Sequence, residues 1–239
     1  EAGRALMRGA GPAFDQLEEA VESARTTGQA ARGSLKLAMP DFVYQLYFGR
    51  ALRSFSETYP DIVLELSLTE ALSDILEEGL HAGFRIGDRI SQDMVAVRLT
   101  PPLELAVIAS PAYVEAHGAP ETPRDLLAHN CIRYRYQSSG HIAPWTFRSV
   151  DGAFDVEVAG SLVVNTLPAS IDMARRGLGL VYIFRDCCAA ELAEGCLVDL
   201  LSGDLPQTPG IFIYFPREYR NMVPLRILID HLRPAFAVS

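Results

Sequence analysis

The residues able to do covalent, redox or metal chemistry are few and scattered. The cysteines are Cys131, Cys187, Cys188 and Cys196, with none in a CxxC pair and no histidine at zinc-ligand spacing. They read as reduced, partly buried thiols, the alternative being a redox pair of Cys131 with Cys187 or Cys188. The histidines, at positions 81, 117, 129, 141 and 231, do not cluster. Catalysis needs a nucleophile, a base and an orienting group within reach of one another. The sequence holds no GxSxG elbow, no HExxH pair and no Walker A loop. The glycines of ARRGLGLVY follow a helical stretch, which makes them a helix cap rather than a nucleotide loop. No catalytic residue, metal or cofactor is expected.

What remains is non-covalent recognition. Polar and aromatic residues gather where apolar strands end, and open α/β sheets bind ligands at the carboxyl ends of their strands. The first group is Pro40, Asp41 and Phe42, followed by Thr69 and Glu70. The second is Tyr136, Gln137, Ser138, Ser139 and His141, joined by Asn165 and Thr166. Helix starts at such places offer free backbone N–H groups. Asp41 reads either as a plain N-cap or as a charge facing the ligand. Phe42, Tyr44 and Tyr136 either stack on a ring or pack the core and rim. Arg85 reads as a salt-bridge partner near a hinge or as a ligand-facing charge, and the sequence leaves both open.

The elements that must carry these residues alternate. Apolar stretches at 35–39, 62–68, 82–86, 103–108, 131–136, 180–183 and 211–215 have strand character, and 145–148 with 156–158 suggests a hairpin. Between them, helices are expected from Pro40-Asp41 to Pro60, over 69–78, after Ser110-Pro111, over 169–176 and over 223–236. Alternating strands and helices argue for parallel α/β sheets. Residues 1–31 read as one long helix with a single apolar stripe, broken near Gly9, Gly11 and Pro12, and such a stripe wants a partner helix. The expected organisation is a linker and dimerisation helix at 1–32, a first lobe from 33–100 with 207–239, and a second lobe at 101–206. Two chain crossings would form a hinge over a cleft, the default small-molecule site.

The segments GSLKLAMPDFVYQLYFGRALRSFSETYPDIVLELSL, GLHAGFRIGD, LAVIASPAYVEAHGAPETPRDLLAHNCIRYR and VNTLPASIDMARRGLGLVYI, in this order and spacing, resemble the LysR-type transcription regulators across nearly the whole chain. The opening EAGRAL is similar to the end of that family's winged-helix domain. The resemblance implies two Rossmann-like lobes of periplasmic-binding-protein type, joined by two crossover strands and preceded by a long linker helix. It implies a homodimer or homotetramer that binds promoter DNA through an N-terminal winged helix-turn-helix lying before Glu1. It also implies a small-molecule effector held between the lobes, with residues 137–141 similar to the family's effector-contacting loop. Effectors of the family are often small carboxylates, but Asp41 and Glu70 favour a cationic, hydroxylated or aromatic one. Where the family often carries Asp, this chain has His81, read as a partly exposed surface residue. A free-standing solute-binding protein of the same fold is the alternative, disfavoured by the absence of an apolar signal core. A cytosolic enzyme on this scaffold is disfavoured by the missing catalytic constellation. No apolar run is long enough for a membrane span, and a cytoplasmic protein is expected.

The formal net charge is −9, which repels phosphate backbones. These 239 residues alone are therefore expected not to retard a promoter duplex in a mobility-shift assay. Adding a winged-helix domain should give binding with a steep salt dependence. Tight, sequence-selective binding by this chain alone would overturn the expectation.

Overall fold

The computed structural model describes residues 32–69, 79–87 and 93–237. The expected helix at 1–31 and nearly all of that at 69–78 lie outside the described residues. The chain forms two compact units. Lobe I contains the described residues up to Thr100 together with those from Ile211 onward, and lobe II is Pro101–Gly210.

Lobe I opens with β1 (Gly33–Met39), whose Leu35 and Leu37 are fully buried. Helix α1 follows as Asp41–Val43, a π-helical stretch Tyr44–Phe48, and Gly49–Thr58. Pro60 cannot continue it, because proline lacks the N–H an α-helix requires. β2 (Ile62–Leu68), β3 (Ala82–Ile86) and β4 (Met94–Arg98) complete the first pass. β12 (Ile211–Pro216) and the last helix, α5 (Val223–Ala237), return from the far end of the chain. The strand order is β2-β1-β3-β12-β4. β1 runs parallel to β2 and β3, whereas β12 is antiparallel to β3 and β4. The sheet is therefore mixed rather than parallel throughout. β12 enters after the excursion through lobe II and not through a helical crossover within lobe I, so nothing forces a parallel direction on it.

Both α1 and α5 pack on one face of this sheet. The ring of Phe236 stacks on Tyr47 at 5.3 Å and on Phe84 of β3 at 6.1 Å, and Phe48 meets Phe84 edge-on at 5.7 Å. On α5, Leu225, Leu228, Ile229, Leu232 and Phe236 are buried at three- and four-residue steps, the single-face pattern of an amphipathic helix. On the opposite face the Tyr214 ring crosses Gly83 so closely that a Cβ there would lie 2.7 Å from it.

In lobe II the main sheet has the order β11-β5-β10-β6-β9. Its strands are β5 (Leu105–Ala109), β6 (Cys131–Tyr134), β9 (Val163–Val164), β10 (Leu180–Phe184) and β11 (Val198–Leu200). β6 is parallel to β9 and β10, and β5 is antiparallel to β10 and β11. The expected hairpin exists, as β7 (Trp145–Ser149) with β8 (Gly152–Val156). Its second strand begins earlier than expected because the tight turn closes at once, the Ser149 hydroxyl donating to the Gly152 carbonyl at 3.0 Å. Helix α2 (Pro111–His117) has the expected cap: Ser110 Oγ accepts from the Tyr113 N–H at 3.2 Å, with Pro111 in the first turn. Helix α3 (Leu167–Arg175) ends in Gly177 at φ +73°, whose N–H donates to Ala174 while the Leu178 N–H donates to Met173. That is a Schellman ending, so Gly177 caps the helix, whereas Gly179 lies beyond the cap, where a Cβ would collide with the Asn130 carbonyl oxygen. A short helix α4 (Ala189–Ala193) precedes β11.

Phe236 is fully buried and joins α5 to both α1 and β3. Phe236→Ala should lower the unfolding free energy by about 3–5 kcal/mol, read from urea titration. An unchanged midpoint would show that α5 docks without the aromatic cluster.

Candidate functional site

The strand-end residues of lobe I cluster because β1 and β2 are parallel and in register. Met39 pairs with Leu68, and the Thr69 N–H donates to the Met39 carbonyl at 2.9 Å. This sets Thr69 beside the start of α1. The N-cap there is Pro40, whose carbonyl accepts from Val43 and Tyr44 and which has no side-chain cap bond. Asp41 is thus not the N-cap. It lies one residue inside the helix, where its carboxylate accepts from Gln45 Nε2 at 2.5 Å. Pro40 closes the first turn because its φ of −60° already suits a helix start. Phe42 is buried in the lobe I core, and Tyr44 is half-buried with its ring stacked on Phe48. Glu70 lies outside the described residues. His81, which is half-buried, has a fixed role: its ring Nδ1 accepts from the Lys36 N–H at 2.8 Å while its backbone N–H donates to the Lys36 carbonyl. It fastens the start of β3 to β1, and its ring packs 5.3 Å from Tyr219. Arg85 makes no ion pair among the described residues and rests over the Tyr214 ring at 5.6 Å.

In lobe II the loop after β6 is held tightly. Arg135 and Ile142 form an antiparallel bridge, the Tyr136 N–H donates to the His141 carbonyl at 2.9 Å, and Gly140 donates back to Tyr136 at 2.9 Å. The Arg135 guanidinium also caps the turn by donating to the Gly140 carbonyl at 2.6 Å. Ser139 Oγ accepts from the His141 N–H at 3.3 Å. Ser138 stands exposed at the tip. β6 then pairs with β9, and the Arg135 N–H donates to the Val164 carbonyl at 2.7 Å, so the chain leaving β9 passes this loop. Gln137 Nε2 reaches the Asn165 carbonyl at 3.4 Å. Thr166 is the N-cap of α3, without a side-chain cap bond, and its carbonyl accepts from Ser170. Since Pro168 has no N–H, the first turn of α3 offers Leu167 and Ala169 as its free backbone donors. Tyr136 is 44% exposed and meets Tyr134 edge-on at 5.9 Å. Residues 136–141, Asn165 and Thr166 thus form one exposed, hydrogen-bonding surface, edged by the Arg135 guanidinium.

Asn130, which the sequence reading passed over, braces this region. Its Oδ1 accepts from the Ser161 N–H at 2.9 Å, and its Nδ2 donates to the Leu178 carbonyl at 2.5 Å. Its place between an apolar 3₁₀ turn and a buried strand is the signal that could have marked it.

All four cysteines are free. Burial pushes the Cys131 thiol up to about 12 and that of Cys188 up to about 11. Cys131 donates weakly to the Leu126 carbonyl at 3.7 Å. Both raised values favour the protonated thiol in the folded chain. Their stabilisation is therefore complete below the ordinary thiol value of 9.0 and is lost as pH climbs through the folded values. In native protein at pH 8, Ellman's reagent should label only Cys187 and Cys196, all four cysteines reacting after unfolding. Fast native labelling of Cys131 would contradict its burial and revive the redox alternative.

Comparison with known proteins follows the same outline. The family model of the LysR substrate binding domain matches residues 28–237. A Pseudomonas aeruginosa protein provisionally described as a transcriptional regulator is 34% identical over 232 residues, covering 97% of this chain and 76% of that protein. The uncharacterised HTH-type transcriptional regulator YcaN of Escherichia coli is 30% identical over 233 residues, covering 98% and 76%. Among solved structures, the regulatory domain of CrgA, a LysR-type transcriptional regulator from Neisseria meningitidis, superposes with a TM-score of 0.74 at 21% identity, covering 87% of this chain and 100% of that one. That likeness shows the fold: two sheets in two lobes of periplasmic-binding-protein type.

Proposed function

The chain belongs to the LysR-type family of transcriptional regulators, whose effector-binding domain it forms, and from that premise we propose how it holds its effector. The contacts come from the carboxyl ends of its strands. In lobe I these are Pro40 and Thr69, with Asp41 and Glu70 close by in sequence and Phe42 packed in the core behind them. In lobe II they are Tyr136, residues 137–141, Asn165 and Thr166. The observation that carries this reading is the Gln137–Asn165 hydrogen bond, which joins the loop after β6 to the start of α3. It gathers hydroxyl, amide and backbone donors on one exposed surface. Neutral groups of that kind fit a hydroxylated or aromatic effector with hydrogen-bonding substituents. The domain works within a homodimer or homotetramer, and promoter DNA is bound by a winged helix-turn-helix outside these residues. A cytoplasmic setting agrees with such a partner. Among the described residues no helix is long and apolar enough to cross a membrane. The relatives are named as regulators, which favours this reading over a free-standing solute-binding protein and over an enzyme.

A thermal-shift screen of small metabolites on this chain would identify the effector, since a ligand that binds only the folded state raises the melting temperature. With that effector in hand, Ser138→Ala and Asn165→Ala should each cost on the order of 1 kcal/mol, about fivefold in Kd by calorimetry. Affinity equal to the parent in both variants would remove the lobe II surface from the site.

A further inference from the structure

Two arginines flank one phenyl ring in lobe I. Across the sheet, Phe212 of β12 pairs with Arg85 of β3 on one side and with Arg98 of β4 on the other. Directly opposed residues present their side chains to the same face of a sheet. Here that face is the one turned away from α1 and α5, because Phe84, the neighbour of Arg85, packs against those helices through Phe48 and Phe236. Both guanidiniums lean inward over β12. Cζ of Arg98 lies 5.2 Å from the Phe212 ring centre, and Cζ of Arg85 lies 5.6 Å from that of Tyr214. The two rings are two residues apart on one strand, roughly 7 Å.

The charge around them is unbalanced. The chain carries 30 acidic residues against 21 lysines and arginines, and Arg53, Arg176, Arg185 and Arg233 each meet a carboxylate. Arg85 and Arg98 meet none among the described residues, and neither guanidinium donates a hydrogen bond there. Nε of Arg85 is fully buried without an acceptor. A desolvated donor left unpaired is costly, and so are two neighbouring like charges. The aromatic faces offset part of that cost through cation–π attraction but accept no conventional hydrogen bond. An oxyanion bridging the two guanidiniums would supply acceptors and neutralise the repulsion together. Guanidinium forks match carboxylate and phosphate oxygens at N···O distances of about 2.8 Å, and Arg85 and Arg98 flank the same residue of β12, one from each neighbouring strand.

We propose that lobe I carries an oxyanion site of its own, formed by Arg85 and Arg98 above the rings of Phe212 and Tyr214, which takes the carboxylate or phosphate group of a small molecule. The rings form an apolar floor that keeps water from one side of the anion, and the arginines grip its oxygens. The site uses lobe I alone, so it stands or falls independently of the surface formed by residues 136–141, Asn165 and Thr166.

The test is calorimetric titration of the 239-residue chain with succinate and, separately, with inorganic phosphate, at ionic strength fixed with chloride. Saturable binding of at least one probe is expected, and which one binds assigns the carboxylate or the phosphate. Arg85→Gln and Arg98→Gln should each weaken that binding tenfold or more. Arg53→Gln, which removes a comparable charge from α1, should leave it unchanged. Arg98 is exposed, so Arg98→Gln should keep its circular dichroism spectrum and remain a valid test even if Arg85→Gln is less stable. Absence of binding by both probes would overturn the proposal, as would binding that survives Arg98→Gln unaltered or falls equally in Arg53→Gln.

Discussion

The insertion of β12 between β3 and β4 ties lobe I to the end of the chain. β3 and β4 are close in sequence, yet they do not pair with each other; both pair with a strand that arrives more than a hundred residues later. Every residue of β12 is buried. Without it, β3 would show an unpaired edge, β4 would have no partner strand, and the aromatic cluster on Phe84 would lack Phe236. Long-range pairing of this kind delays closure until the intervening loop entropy has been overcome. Lobe II, by contrast, is contiguous. The place where the chain leaves lobe I and the place where it returns are fastened together: the Leu99 N–H donates to the Ile211 carbonyl at 2.9 Å, and the Ile211 N–H donates to the buried Thr100 hydroxyl at 2.8 Å.

This non-local strand explains what the sequence could not show. Period and punctuation located β2 and β3 at their observed bounds, the Ser110-Pro111 helix start and the Gly177 helix end, because those signals are local: alternation, a cap, a left-handed glycine. Strand direction is not local. β5 and β12 look like any buried apolar strand, and their antiparallel placement depends on where the chain goes between them. β4 carries a short apolar run, Met94 to Val97, of strand character. The late start of 3₁₀ and helical turns around Arg185–Cys188 and Ala189–Ala193 left little periodicity to read.

The grouping of the candidate residues was legible in outline and not in detail. Strand ends mark themselves, so the loop at 136–141, Asn165 and Thr166 could be grouped from sequence, and β6–β9 pairing accounts for their meeting. Of the two readings open for Asp41, the cap is excluded because Pro40 takes that place. His81 is partly exposed, as its sequence context suggests, but its ring nitrogen also takes a backbone N–H of the neighbouring strand, a contact that depends on β1–β3 register. Arg98 escaped notice for a similar reason: its value lies in the residue opposite it, and opposition across β12 cannot be seen along the chain.

Placing the oxyanion site on β12 also gives it a route of influence within lobe I. Phe212 is the ring beneath Arg98, and the preceding residue, Ile211, holds both hydrogen bonds at the chain exit. An anion that draws Arg85 and Arg98 together loads β12 from both flanking strands at this position. Packed interiors are of low compressibility and transmit strain, and the contact next along β12 is the buried Thr100 hydroxyl on the Ile211 N–H. A ligand alters an equilibrium only through contacts that differ between states. Two guanidiniums anchored on separate strands can make that difference, because any shear of β3 against β4 changes the gap between them, and with it the grip on the anion.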